Sequence, residues 1–256
     1  MGKVRDFSVG DLVTTKGHGI CKVLEFQNSR KVIVEFVDTG YTTTVVADAL
    51  RKGAVKDHLS PTVYGVGVVG VGLICDKGVC KKEYKQWTNM LRRCYDEAYH
   101  TTRPTYKGCS VSENFKYYSY FKDWCSYQVG FGNEDVKKRG FVLDKDILLK
   151  GNKVYSEDTC CFVPYEINNI LVNCGSNRGE LPVGVSFEST TGKCKAYVTR
   201  GGVFTYLGLF DNQEEAFYAH KNAKETYVKS LANKWKDQID LRVYEALVNY
   251  QVEITD

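Results

Sequence analysis

The residues with the clearest capacity for chemistry are three consecutive charges, Asp144, Lys145 and Asp146, inside the run FVLDKDILLKGNKVYSEDTCCFVPYEINN from Phe141 to Asn169. With Val142-Leu143-Asp144 read as a short strand, Asp146 lies two residues on from Asp144 and shares its face. Paired carboxylates suit magnesium, and Asp146 can either share such a metal or serve as the base that takes a proton from water. Lys145 is a poor base, because a lysine near its ordinary pKa of about 10.4 is protonated, and burial would have to lower it by roughly three units. The same three residues also fit plain turn-flanking charges on a hairpin.

The surrounding residues read as two strands and a helix. Val142 to Asp144 forms the first strand, Lys150-Gly151-Asn152-Lys153 a hairpin turn, Thr159 to Phe162 the second strand, and Pro164 to Leu171 a short helix opening with proline. Such a unit gathers a few side chains at one point, as a nuclease needs for a metal on the scissile phosphate and a base on the attacking water. Ahead of it the period turns helical at Lys82, with Tyr84, Trp87, Leu91, Cys94 and Ala98 on one face. A second helix, capped by Ser112, runs to about Gln128, and its crowd of aromatic residues from Phe115 to Trp124 reads as core.

The ordered set Trp87-x-x-Met90-Leu91-x-Arg93-Cys94-Tyr95, Tyr106-x-Gly108-Cys109-x-Val111, Phe121-x-x-Trp124, Leu143-Asp144, Gly151-Asn152 and Tyr155-Ser156 resembles the free-standing HNH endonucleases often carried by phages. The resemblance covers residues 82 to 171 and implies a ββα-metal core whose histidines are missing. It puts Asp144 on the metal-ligand position and Lys145 on the base position. Thr159, or Asp158 one step before it, falls where the family has Asn. The implied cofactor is magnesium, or manganese, held by Asp144 with help from Asp146 or Asp158, while Lys145 neutralises charge in the transition state.

Further on, Val183 to Phe187, Lys195 to Thr199 and Phe204 to Phe210 read as three strands joined at Thr191-Gly192 and Gly201-Gly202. A long helix follows from Asp211-x-x-Glu214, a capping-box spacing, with Ala216, Ala219, Ala223, Tyr227 and Leu231 as its apolar stripe. The motifs Val183-Gly184-Val185, Gly192-Lys193-Cys194-Lys195-Ala196, Tyr206-Leu207-Gly208-Leu209-Phe210 and Glu214-Glu215-Ala216-Phe217 resemble the Apetala-type (ethylene-response-factor) DNA-binding domain. That resemblance implies a sheet laid in the major groove of double-stranded DNA. Alternation puts Lys193, Lys195, Tyr197 and Thr199 on one face, with Arg200 at the turn, Tyr206 on the next strand and Arg178 in the polar loop before the sheet. A final helix from about Ile239 to Tyr250 either packs on this domain or supplies a dimer contact.

At the other end, residues 6 to 48 alternate apolar and polar in four runs, the pattern of a small antiparallel barrel of the Tudor or Src-homology kind, by default an inert structural module and otherwise open to DNA docking or a protein partner. The glycines of Gly65-Val-Gly67-Val-Val-Gly70 match a dinucleotide-binding fingerprint in letters, but no helix follows, so they read as points of close packing or bending. The expected class is α+β: a β-barrel module over 1–60, a glycine-rich connector over 61–81, an HNH-like domain over 82–175 and an Apetala-type domain with a C-terminal helix over 180–256.

A net charge of +4 permits nucleic-acid binding through local clusters without requiring it. Ten cysteines without a secretory leader or an even framework argue for reduced thiols in a cytoplasm, that of a host cell if a phage encodes the chain. With four histidines and one close cysteine pair, Cys75 and Cys80, no structural zinc is expected, and no apolar run nears the ~20 residues of a membrane helix. The leading expectation is a DNA-binding, metal-dependent HNH-like endonuclease. The alternatives are a catalytically inactive DNA-binding regulator on the same scaffold and a protein-interaction module acting on a host factor.

Overall fold

Alternating residues between Leu12 and Val45 form four antiparallel strands in a computed structural model that describes residues 7–72, 74–171 and 181–254. The strands are β1 (Leu12–Thr14), β2 (Ile20–Asn28), β3 (Lys31–Phe36) and β4 (Thr42–Val45), followed by helix α1 (Ala47–Arg51). Cys21, Val23, Val32, Val34 and Phe36 point to one side and close a small core with Ala47, Leu50 and Val55. The sheet is an open meander in the order β1-β2-β3-β4, and among the described residues it does not close into the expected barrel. Closure needs the two edge strands to pair, and β1 offers only three residues for it.

The chain divides into two units, residues 1–123 and 124–256, so the division falls inside the 82–175 segment. In the first unit two small hairpins follow the sheet: β5 (Pro61–Val63) with β6 (Gly67–Val68), and β7 (Cys75–Asp76) with β8 (Val79–Cys80). Gly67 is a point of close approach, because a Cβ there would lie 2.4 Å from Leu91 Cδ1 and 2.8 Å from the Trp87 ring. Helix α2 (Lys82–Tyr95) buries Trp87, Met90, Leu91 and Cys94, and the Trp87 indole donates to Phe115 O at 2.8 Å. The periodic face extended to Ala98, but the helix stops earlier, because the Asp96 carboxylate accepts from Tyr99 N at 3.2 Å and starts α3 (Glu97–Thr102). Ser112 also caps, though it accepts from Phe115 N at the head of a single 3₁₀ turn, and α4 (Tyr118–Ser126) begins only after it.

After the short strand β9 (Ser110–Val111), the remaining strands belong to the second unit. There β10 (Val142–Asp144) pairs antiparallel with β12 (Cys161–Val163), with the short β11 (Val154–Tyr155) in the loop between them, and α5 (Tyr165–Leu171) follows directly. The second strand starts two residues later than its sequence pattern because Cys160 N donates to Ser156 O at 2.9 Å and keeps 156–160 in a turn.

A three-stranded antiparallel sheet completes the unit: β13 (Val185–Glu188), β14 (Lys193–Arg200) and β15 (Val203–Phe210) in sequence order, backed by α6 (Gln213–Trp235) and followed by α7 (Leu241–Val248). Cys194 and Ala196 meet Ala216 in the core between sheet and helix. The buried stripe of α6 is Ala216, Phe217, His220, Lys224, Val228, Leu231, Ala232 and Trp235, rotated from the expected one because two polar residues lie on the buried side. Its cap is Asn212, which accepts from Glu215 N at 2.9 Å, one residue past the expected Asp211.

Candidate nucleic-acid site and acidic centre

Backbone pairing sets the geometry of the acidic centre. Leu143 lies opposite Phe162 and Asp144 opposite Cys161, and the buried Leu143, Phe162, Val163 and Ile167 fix strand, strand and helix together. Asp144 ends its strand, and its Oδ1 accepts from the backbone N–H groups of Asp146 at 2.8 Å and Ile147 at 2.9 Å. This turn opens the loop that leads to β12.

Asn152 closes the same loop. Its Nδ2 donates to Lys145 O and to Val154 O, each at 2.7 Å, and the Lys145 ammonium donates back to Asn152 O at 2.8 Å. Lys145 is buried, 5.8 Å from the Tyr155 ring, and also donates to Asp146 Oδ2 at 3.1 Å. Its protons are directed at two acceptors, so the geometry gives it the work of a donor and none of the work of a base. Thr159 is likewise occupied: its hydroxyl donates to Val154 O at 2.9 Å and lies 2.8 Å from Ser156 Oγ.

The electrostatics set Asp144 apart. Burial, and then the negative charge of Asp146, push the Asp144 carboxyl up to about 6, against the two backbone N–H groups that favour its charged form. Asp146 is half-exposed and reaches Lys145, while Asp158 is exposed and its carbonyl accepts from Arg242 Nη1 at 3.3 Å. Arg242 also holds Asp240, the cap of α7, through a two-pronged contact at 3.1 Å, so the last helix is anchored to the loop of the hairpin. Neither Asn152 as a loop clamp nor Asp240-x-Arg242 as an anchor follows from the strand pattern; the one signal was an Asp at a helix start.

Among the described residues no three His, Cys, Asp or Glu side chains form a group able to hold a metal, so Asp144, Asp146 and Asp158 do not converge as a trio. Asp144 and Asp146 alone fit magnesium in its usual manner, through one or two carboxylates with the remaining positions left to water and phosphate.

The exposed face of the three-stranded sheet carries Lys193, Lys195, Tyr197 and Thr199, while Cys194, Ala196 and Val198 alternate with them on the buried side. Tyr206 pairs with Tyr197 across the strands, ring centroids 5.7 Å apart, and Phe204 stacks on Tyr197 at 4.5 Å. Phe204 is 67% exposed and belongs to this face. Two of the lysines are already paired: Lys195 with Glu188, and Lys193 with Asp211 at 2.7 Å. These pairs raise both lysines and lower both carboxyls from their ordinary values. Arg200 at the strand end is exposed and has no ion pair among the described residues. Arg178 lies outside the described residues.

Beside this face a cleft of about 940 Å³ is lined by Arg139, Tyr165, Tyr197, Phe204, His220 and Lys224, among others. None of Asp144, Asp146 or Asp158 is among its lining residues, so this cleft and the acidic centre are separate features. Arg139 stands over the Tyr165 ring at 4.2 Å and is held by Asp135, whose carboxylate also accepts from Lys137 N and Arg139 N.

No protein-family model matches the chain, and no curated protein or solved structure is significantly similar to it. Among the described residues no helix is long and apolar enough to cross a membrane.

Proposed function

We propose that this chain is a DNA-binding protein of the HNH-endonuclease type, in which the three-stranded sheet holds duplex DNA and the ββα hairpin presents Asp144 and Asp146 to a divalent cation. The observation that carries the reading is the acidic pair itself. A half-buried carboxyl kept beside a second one, raised by burial and by that neighbour, is costly in a structural hairpin and useful at a cation site. Bound there, magnesium would stabilise the charge that develops on the scissile phosphate. Lys145 offsets one of the two negative charges, and the Asn152 clamp holds Lys145 and the loop in register. Asp146, the more exposed carboxylate, either shares the cation with Asp144 or, with Asp144 alone on the cation, accepts the proton from water.

DNA binding rests on the sheet. Lys193, Lys195 and Arg200 supply phosphate contacts, and Tyr197, Phe204 and Tyr206 supply apolar surface for groove contacts. Phosphate must displace Glu188 from Lys195, and a solvent-screened surface pair of this kind yields readily to a phosphate. Duplex binding followed by fluorescence anisotropy against salt tests the reading. Arg200→Ala is expected to lower the salt slope by about one counterion, and Glu188→Gln to tighten binding at low salt by freeing Lys195. Binding indifferent to salt and to both substitutions would remove the sheet as the DNA surface.

A second reading, a DNA-binding regulator with a relic nuclease hairpin, is favoured by one observation: Lys145 and Thr159, two of the positions the family resemblance assigns to chemistry, are engaged in closing their own loop. It shares the sheet with the first reading and parts from it on cleavage.

A further inference from the structure

Seven of the nine described cysteines are buried; the two that are not, Cys75 and Cys80, face each other across the hairpin of β7 and β8. The turn between them is Lys77-Gly78, with φ of +46° and +81°, the two positive values of a type I′ hairpin turn. In a hairpin with a two-residue turn the flanking pair, here Asp76 and Val79, is hydrogen-bonded, so the next pair outward, Cys75 and Cys80, is not. Lys81 N donating to Ile74 O at 3.0 Å marks the following pair as hydrogen-bonded again and confirms that register. Side chains of a non-hydrogen-bonded pair stand closest in an antiparallel sheet, with Cα atoms about 4.5 Å apart, inside the range a disulfide spans. The sulfurs are 2.8 Å apart. No rearrangement of the backbone stands between this arrangement and a bond.

We propose that Cys75 and Cys80 form a reversible thiol–disulfide site, oxidised by a low-molecular-weight disulfide and reopened by thiols. The exchange is balanced. The thiolate of one cysteine attacks a sulfur of the external disulfide and expels one thiolate, and the second cysteine attacks the resulting mixed disulfide and expels the other. Two protein thiols become one disulfide, and one external disulfide becomes two thiols. The hydrogen shared between the two sulfurs, and then burial, raise the Cys75 thiol from its ordinary value despite the nearby Lys85, so the attacking thiolate is a minor species at neutral pH and closure speeds up as pH rises. A metal held by these two sulfurs lacks further ligands, since no third His, Cys, Asp or Glu joins them among the described residues. Closure would brace the hairpin that runs into α2 through Lys81, immediately ahead of the helix that buries Trp87.

The test treats the native full-length protein with oxidised glutathione and then blocks residual thiols with a maleimide. Mass spectrometry of the intact and digested protein is expected to show loss of two hydrogen atoms, a single link between Cys75 and Cys80, and full reversal by dithiothreitol. Cys75→Ser and Cys80→Ser are each expected to take up one glutathione on the cysteine that remains, which shows that exposure alone gives a mixed disulfide and the pair gives closure. Wild-type protein that stays reduced, that keeps glutathione on either cysteine without closing, or that links a different pair would overturn the proposal.

Discussion

Asp144→Asn is expected to make the metal-free protein more stable at neutral pH and to abolish divalent-dependent cleavage of DNA. The amide oxygen of Asn can keep the hydrogen bonds from Asp146 N and Ile147 N, so the loop retains its opening turn. What disappears is a charge that burial and Asp146 disfavour. The sign follows from the folded-state value of about 6 against an ordinary 3.8. Between these values the folded protein binds more protons than the unfolded chain, so the group's contribution is present below about pH 4 and is lost as pH rises through 6. Asn is immune to that loss. The gain above pH 6 should be on the order of 1–2 kcal/mol, less than the full shift implies because Asp144 keeps some solvent access, and it should vanish near pH 4. Urea denaturation of both proteins at pH 4 and pH 8 measures it. An equal loss of stability at both pH values would mean that Asp144 is a structural anchor and the acidic pair is not a strained site.

The largest loss of stability from a single methyl group is expected at Gly184. It has φ of +73°, where an L side chain is strained, and a Cβ there would fall 1.9 Å from Nδ1 of His220. His220 cannot simply step aside, because it is buried on α6 and its Nδ1 is hydrogen-bonded to Tyr197 O, while Tyr197 N donates to Gly184 O at 2.8 Å. Gly184→Ala should therefore cost roughly 3 kcal/mol or more, by combining left-handed strain with overpacking. Gly192→Ala is the control: its φ is +71° but nothing lies within 4 Å of the added carbon, so only the strain of about 1 kcal/mol remains. Equal costs at the two positions, by chemical denaturation, would show that the His220 contact does not hold the helix to the sheet.

The close approach at Gly184 also explains why Val183-Gly184-Val185 stood out in the sequence without revealing its reason: the partner atom lies 36 residues on, at His220. Local patterns were legible where the physics is local. The strand from Val142 to Asp144, the alternation of Lys193, Lys195, Tyr197 and Thr199, and the glycine turns at 192 and 201–202 all follow from period-two geometry and backbone freedom. The capping residues were misplaced by one position at Asn212, because Asp211 and Asn212 are both good caps and the choice is made by how the strand enters the helix. The stripe of α6 was misjudged because His220 and Lys224 read as surface residues, and their burial depends on partners elsewhere in the chain. Barrel closure was overstated for the same reason: alternation defines strands, whereas closure is a property of two distant edges. At the acidic centre the expected shared strand face of Asp144 and Asp146 does not form, because the strand ends at Asp144 and Asp146 sits in the bend that the Asp144 side chain opens, and the Lys145–Asn152 clamp joins residues seven apart through main-chain atoms that no residue pattern encodes.

The nuclease reading is tested most directly by incubating supercoiled plasmid with the full-length protein and magnesium or manganese, at a concentration where gel shift shows the plasmid to be bound. The proposed function predicts conversion to nicked circles that stops with a chelator and with Asp144→Asn, while binding persists in both cases. Bound plasmid that remains supercoiled with either metal would contradict it and leave a DNA-binding protein with a relic hairpin.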